Sequence, residues 1–110
     1  MYAVRVEQVP AAFGLNQNYP NPFNPTTKIE FDLPVTARVT LEIYNALGQA
    51  AAKLIDHEIM DDGRREIEFN ASGLSSGVYF YRIVAERISN DKSTTSADRF
   101  MSTKKMILVK

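Results

Sequence analysis

Apolar and polar residues alternate with a period of two along this chain of 110 residues. Residues 28–33 read Lys-Ile-Glu-Phe-Asp-Leu, residues 38–43 read Arg-Val-Thr-Leu-Glu-Ile, and residues 66–69 repeat the pattern. Successive side chains of a strand point to opposite faces of a sheet, so this period predicts half-buried strands. The run 78–84 is apolar on both faces, as in a central strand, and residues 105–109 form the last predicted strand.

Turn residues separate the predicted strands. Glycine and asparagine or aspartate occur in residues 45–48 and 61–63, and glycine with serine in residues 72–77. Glycine adopts the positive φ that other residues resist, so these segments are typical of tight turns. Short strands at this spacing predict an all-β domain, a two-sheet antiparallel sandwich of about seven strands.

Two segments are less clear. Residues 50–60 begin with Ala50-Ala51-Ala52-Lys53, which favours a helix, but the strand before them suits a hairpin whose return arm starts at Ala50. The hairpin is the preferred interpretation. Residues 89–98 have no large apolar side chain, so we expect a mobile loop between the last two strands.

Composition excludes several classes of function. The 13 lysines and arginines balance the 13 aspartates and glutamates, so the chain has no net charge that would attract nucleic acid over a distance. No apolar run reaches the roughly 20 residues that span a bilayer. Residues 1–5 are not followed by the uninterrupted apolar stretch of a signal peptide. The absence of cysteine excludes thiol chemistry.

Candidate catalytic and metal-binding residues are few. His57 is the only histidine, so a histidine-rich metal site is excluded, and we expect no enzyme activity, metal or cofactor. Asp61-Asp62-Gly63 has too few oxygen ligands for calcium and favours a plain hairpin turn. Glu66 and Glu68 share a strand face, where they are interpreted as solvated charges rather than a catalytic carboxylate pair.

A proline-rich lead-in precedes the first confident strand. Residues 19–27 read Tyr-Pro-Asn-Pro-Phe-Asn-Pro-Thr-Thr, and each proline restricts itself and the residue before it, which predicts a stiff, extended segment. Asn21, Asn24 and Thr26 can bond to nearby backbone in place of the ladder bonds that proline cannot make. Tyr19 and Phe23 are predicted to plug the open end of the sandwich.

Four blocks, at residues 15–25, 43–49, 76–82 and 103–106, resemble in sequence and order the type A C-terminal sorting domain of the type IX (Por) secretion system. Together they cover nearly all of residues 13–110. The candidate recognition residues that match the family's motifs are Tyr19, Pro20, Asn21, Pro22, Phe23, Asn24, Pro25, Gly48, Gly77, Tyr79, Lys104, Lys105 and Lys110. The glycines are first of all turn residues, and Tyr79 and Tyr81 are first of all core and sheet residues.

The resemblance implies an immunoglobulin-like sandwich that is a substrate of the export machinery. Residues 1–12 would be a linker remnant from an upstream cargo protein, and residues 13–110 the sorting domain. The partners would be the outer-membrane translocon and a sortase-like cysteine peptidase, which commonly removes the domain before Tyr19 and joins the cargo to a surface glycolipid. The domain would pass through the periplasm to the cell surface or medium, without binding nucleic acid or inserting into the membrane.

The last predicted strand has two interpretations that can both hold. Lys104, Lys105 and Lys110 flank an apolar strand, and charges of this kind protect edge strands from aggregation. The resemblance adds that the export machinery recognises this basic strand. Pairing of its exposed edge with a receptor strand would be a physical mechanism for recognition.

Two other classes of function stay open. A carbohydrate-binding module would be a small β-sandwich with an exposed aromatic strip, whereas this sequence has 11 aromatic residues and no tryptophan. A scaffold domain like that of flagellar hook-capping proteins would have a similar lead-in and central strand. That group more often carries a tryptophan-aspartate-glycine stretch where residues 68–73 read Glu-Phe-Asn-Ala-Ser-Gly.

Overall fold

Seven β-strands form the domain in a computed structural model that describes residues 9–88 and 99–110. The loop predicted for residues 89–98 and most of the predicted linker lie outside the described residues. The strands are β1 (Gly14–Leu15), β2 (Thr26–Leu33), β3 (Ala37–Asn45), β4 (Ala50–Met60), β5 (Gly63–Asn70), β6 (Gly77–Arg87) and β7 (Arg99–Leu108).

The strands form two antiparallel sheets. One sheet has the order β1-β2-β5 and the other the order β4-β3-β6-β7. The predicted all-β, two-sheet antiparallel sandwich is therefore confirmed, while the immunoglobulin-like assignment stays a prediction. The described residues contain no helix, so none that could cross a membrane.

The core lies between the two sheets, where the alternating apolar residues of each strand meet. Ile29, Phe31 and Leu33 of β2 and Val39, Leu41 and Ile43 of β3 are all fully buried, as the period of two predicts. Burial of each such side chain contributes about 1.5–3 kcal/mol, so these two strands supply much of the apolar stabilisation. β5 keeps its alternation as well, with Phe69 buried and Glu66 and Glu68 exposed.

The hairpin interpretation of residues 50–60 is confirmed. β4 runs back along β3, and the turn between them is closed by the Asn45 side chain, whose Oδ1 accepts bonds from the backbone N–H groups of Leu47 and Gln49. Gly48 has a φ of 82° in this turn, a conformation in which glycine has no steric penalty.

Three expectations about strands need correction. β6 is central, between β3 and β7, but only one face is buried, and Val78, Phe80 and Val84 lie partly in solvent on the other. β7 begins at Arg99 rather than at residue 105, because pairing with β6 holds the polar residues 102–105 in the strand. β1 was not predicted, since a strand of two residues has no detectable period.

The turn at residues 61–63 is not a hairpin. It joins β4 to β5, which lie in different sheets, so the chain crosses the sandwich here. Local turn chemistry predicts that the chain reverses but does not specify which sheet the next strand joins.

Candidate recognition site

The proline-rich segment and the three residues before it, residues 16–27 and called the lead-in from here on, lie along the C-terminal strand. Phe23 and Leu108 form a parallel bridge, in which the Phe23 N–H donates to the Ile107 carbonyl at 2.9 Å and the Val109 N–H donates to the Phe23 carbonyl at 2.9 Å. Asn21 Oδ1 accepts a bond from the Ile107 N–H at 2.9 Å. Gln17 Nε2 donates to the Lys105 carbonyl at 2.7 Å. The first and last matched motifs therefore meet along the outer edge of β7.

The prediction that two aromatic residues plug the sandwich is half right. Phe23 is 1% exposed and packs against Phe69, with ring centroids 6.2 Å apart. The prediction is wrong for Tyr19, because its side chain is 81% exposed. Its backbone pairs with Lys28 at the outer edge of β2, and this pairing directs the ring away from the core.

Asn18 is the central polar residue of the lead-in, and the sequence reasoning missed it. Its side chain is 2% exposed, and its Nδ2 donates to Thr27 Oγ1 at 3.0 Å and to the Pro20 carbonyl at 3.1 Å. The Thr27 hydroxyl donates to the same carbonyl at 2.9 Å. Side-chain amides and hydroxyls replace the bonds that proline cannot make, so polar residues beside prolines were the available signal.

Tyr81 fixes the lead-in from the opposite sheet. Its hydroxyl accepts a bond from the Asn18 N–H at 2.7 Å and donates to the Asn16 carbonyl at 2.7 Å. The ring is fully buried, and burial raises the pKa of Tyr81 to about 12. Tyr79 is also a core residue, as predicted, and its hydroxyl donates to the Ser75 carbonyl at 2.6 Å.

The remaining lead-in residues present side chains to solvent. Pro20, Asn21, Pro22 and Asn24 are exposed beside Tyr19, and the Pro25 carbonyl accepts a bond from the Ala71 N–H at 2.8 Å. The predicted bonding of Asn21 is with β7 rather than with nearby backbone. The exposed lead-in side chains lie next to the end of β7.

The three C-terminal lysines do not form one cluster. Lys104 is half-buried opposite Tyr81, whereas Lys105 is exposed opposite Phe80 on the other face of the sheet. Lys110 is tied to the turn before β6, because its Nζ donates to the Ser72 carbonyl at 2.8 Å and its N–H donates to Ser76 Oγ at 3.0 Å. The strand presents positive charge on both of its faces and at its end.

The two matched glycines lie in separate places. Gly77 begins β6 directly opposite Leu108, close to the lead-in. Gly48 is in the β3–β4 turn and lines a shallow cavity of about 250 Å³ on the outer face of the four-stranded sheet. The structure therefore brings Gly77, but not Gly48, to the edge that the lead-in covers.

His57 and Asp56 form an exposed hydrogen-bonded pair. His57 Nδ1 lies 2.7 Å from Asp56 Oδ1, and this bond, with the charge of Lys53 nearby, lowers the pKa of Asp56. His57 has a φ of 52° and sits where the β3–β4 register shifts. Both side chains face solvent, and within residues 9–88 and 99–110 no three acidic or histidine side chains come together as metal ligands.

The aromatic strip that sugar binding requires is not found in the described part of the chain. Tyr19 is the only fully exposed aromatic side chain in that part, and Tyr44 and Phe80 are half-buried. Arg82 lies over the Tyr44 ring, 4.8 Å from its centroid, and bonds to the Tyr44 hydroxyl. That face therefore has no open aromatic platform.

Comparison with known proteins identifies one family. The model of the secretion system C-terminal sorting domain family matches residues 17–107, from the lead-in to the end of β7. No curated protein and no solved structure gave a match. This family consists of sorting signals and is not a family of enzymes. Since the match covers more than four-fifths of the chain, the protein belongs to the secretion system C-terminal sorting domain family.

Proposed function

We propose that this domain carries an attached upstream cargo protein through the type IX outer-membrane translocon, and that a sortase-like peptidase then removes the domain and joins the cargo to a surface glycolipid. Membership of the family makes the chain a C-terminal type IX sorting signal and implies export to the cell surface or beyond. The observation that carries the proposal is the meeting of the lead-in motif and the basic terminal strand along one edge.

We further propose that residues 1–12 are a linker and that the sorting domain starts at Phe13. Phe13 stacks on Phe100 of β7 with centroids 5.5 Å apart, and Gly14 and Leu15 pair with β2. Val9 is 51% exposed, and Ala11 and Ala12 are exposed as well. The first residues that pack against both sheets support a boundary at this point.

The same contacts support a proposal for the position of the processing bond. The Asn16 N–H donates to the Glu30 carbonyl at 2.9 Å, and Asn18 is buried. A peptidase needs an extended, accessible chain, which residues 14–18 do not offer while the sandwich is folded. We therefore propose that the peptidase cleaves before Gly14, which narrows the expectation of cleavage before Tyr19.

The terminal strand is best tested without deleting it. Removal of residues 104–110 would take away Met106 and Leu108, which are 0% and 1% exposed, and would open the core. Cutting two core side chains costs several kcal/mol, so loss of export would not distinguish misfolding from loss of a signal. Charge changes at exposed positions avoid this problem.

The experiment fuses residues 1–110 behind an exported fluorescent reporter in a bacterium that has the type IX system. A Lys105→Gln, Lys110→Gln variant is compared with a Lys28→Gln, Lys53→Gln variant, which loses the same charge elsewhere on the surface. We expect the wild-type and control fusions to reach the surface or medium and the terminal-strand variant to accumulate in the periplasm.

Each outcome has a distinct meaning. Periplasmic retention of the folded wild-type fusion would contradict the sorting function. Delivery of both lysine variants would be consistent with the sorting function but would show that the export machinery does not recognise the terminal charges. Mass spectrometry of delivered cargo should find its new C-terminus upstream of Gly14, and a C-terminus within residues 14–18 would contradict the placement of the bond.

A further inference from the structure

Half of the outer edge of β7 is already occupied. Four backbone groups along this edge bond to the lead-in. The Lys105 carbonyl accepts from Gln17, and the Ile107 N–H donates to Asn21. The Ile107 carbonyl and the Val109 N–H bond to the backbone of Phe23. These groups point away from β6. The lead-in therefore acts as a substitute strand for the C-terminal half of β7 and blocks strand addition there.

The other half of this edge has no backbone pairing among the described residues, although Phe13 stacks on Phe100 and β1 lies close to β7. Antiparallel residues alternate between bonding to the neighbouring strand and pointing away from it, so the outward set of odd-numbered residues continues to Thr103, Met101 and Arg99. Within residues 9–88 and 99–110, no lead-in group bonds to the backbone of Met101 or Thr103. In the described part of the chain, the outward backbone donors and acceptors of Arg99–Thr103 therefore have no hydrogen-bond partner.

This edge is also regular. All ten residues of β7 pair with β6 without a register shift. The opposite edge strand of the same sheet, β4, shifts register against β3 at three places and carries a positive φ at His57. Bulges of this kind interrupt an edge and disfavour strand addition. β5, the long edge strand of the other sheet, carries both signs of charge in Arg64 and Glu66.

The positive charge of β7 favours an incoming strand that carries negative charge. β7 contains Arg99, Lys104 and Lys105 and no acidic residue. Arg99 is the charged residue of the free segment, and Lys104 and Lys105 follow this segment directly. A second copy that pairs antiparallel over Arg99–Thr103 would bring its Arg99 diagonal to Lys105, and like charges on neighbouring strands are destabilising. An incoming strand with acidic side chains would instead gain opposite-charge pairs.

We propose that Arg99–Thr103 of β7 accepts an extended, acidic strand of an export-machinery protein, which adds to the four-stranded sheet beside the lead-in. This proposal rests on the proposed sorting function and names the segment that the export machinery recognises. Main-chain bonds supply the attraction in strand addition, and alternate side chains supply the specificity.

The test replaces outward backbone donors with proline in the reporter fusion. Met101→Pro and Thr103→Pro remove N–H groups that point away from β6, which proline tolerates on an edge strand. Met101→Thr and Thr103→Val change the same side chains but keep the donors. We expect both proline variants to stay in the periplasm with a folded melting transition, and both controls to be delivered like the wild type.

Delivery of folded proline variants at the wild-type level would overturn the proposal and leave the sorting function standing. Retention of the wild-type fusion itself would overturn the sorting function and this inference with it. Retention of the side-chain controls together with the proline variants would also contradict it, since the backbone donors would not be what is read.

A second measurement does not depend on how proline affects folding. A photo-crosslinking side chain is placed at Met101 or, as a control, at Ile59 of β4, because these residues are 58% and 60% exposed on opposite edges of one sheet. We expect an adduct with an outer-membrane protein from position 101 during export and none from position 59. Equal adducts at both positions, or adducts at position 59 alone, would contradict the proposal.

Discussion

The hydroxyl of Tyr81 lies 2.7 Å from the backbone nitrogen of Asn18, and this contact joins the centre of one sheet to the segment that leads into the other. The same hydroxyl donates to the Asn16 carbonyl, so a single core side chain satisfies two lead-in backbone groups. Because Gln17 between them bonds to Lys105, Tyr81 indirectly positions the outer edge of β7.

Tyr81→Phe should therefore destabilise the domain more than Tyr79→Phe does. Loss of the Tyr81 hydroxyl leaves a buried N–H without a partner, which costs about 1–3 kcal/mol. The Tyr79 hydroxyl only donates to the Ser75 carbonyl in an exposed turn, where water can replace it, so we expect about 1 kcal/mol or less. Urea unfolding of both variants measures the difference. Equal destabilisation would show that the lead-in does not depend on Tyr81.

The raised pKa of Tyr81 predicts a loss of stability at alkaline pH. An unfolded tyrosine has a pKa of about 10, whereas burial raises that of Tyr81 to about 12. The unfolded chain releases this proton first, so the stabilisation is fully present below about pH 10 and is lost as the pH rises toward 12. Melting temperatures of wild type and Tyr81→Phe should therefore converge between about pH 10 and about pH 12. A constant difference over that range would contradict the shift.

Much of the fold was predictable because local alternation and burial agree. Within residues 28–33 and 38–43 every second residue is apolar, and each of those residues is buried. β7 was predicted too short because Ser102 and Lys104 occupy inward positions that the alternation requires to be apolar. Pairing with β6, a long-range contact, overrides the local pattern there.

The candidate recognition residues were predictable as a set of motifs, but their arrangement on one surface was not. Nothing local in the sequence indicates that Asn21 and Ile107, 86 residues apart, share a hydrogen bond. The lead-in was expected to satisfy its own backbone, and instead it satisfies β7. Gly48 matched the same family pattern as the lead-in, yet it lies in a turn away from this edge.

Phe23 and Tyr19 should respond very differently to truncation. Phe23→Ala removes a ring that is 1% exposed and leaves a cavity against Phe69, so we expect a loss of about 3–5 kcal/mol. Tyr19→Ala removes a ring that is 81% exposed and should change stability by about 0.5 kcal/mol or less. Denaturant unfolding of the two variants tests this. A large effect at Tyr19 would mean that its ring packs more than its exposure indicates.

Removal of the Asn21 side chain should loosen the end of β7 without unfolding the domain. Asn21→Ala takes away the acceptor of the Ile107 N–H, a bond whose net contribution is about 1 kcal/mol. Asn24→Ala is the matched control, because Asn24 is an exposed asparagine of the same segment with no side-chain bond to β7. We expect faster amide hydrogen exchange at Ile107 in the Asn21 variant alone, measured by NMR.

The Phe23 carbonyl continues to hold the Val109 N–H in the Asn21 variant, so exchange at Val109 should stay slow. Fast exchange at both amides would mean that the whole lead-in detaches when one bond is lost. Unchanged exchange at Ile107 would mean that Asn21 does not cover the edge in solution. The edge open to strand addition would then extend beyond Thr103 towards the C-terminus, because the segment that blocks it would no longer be in place.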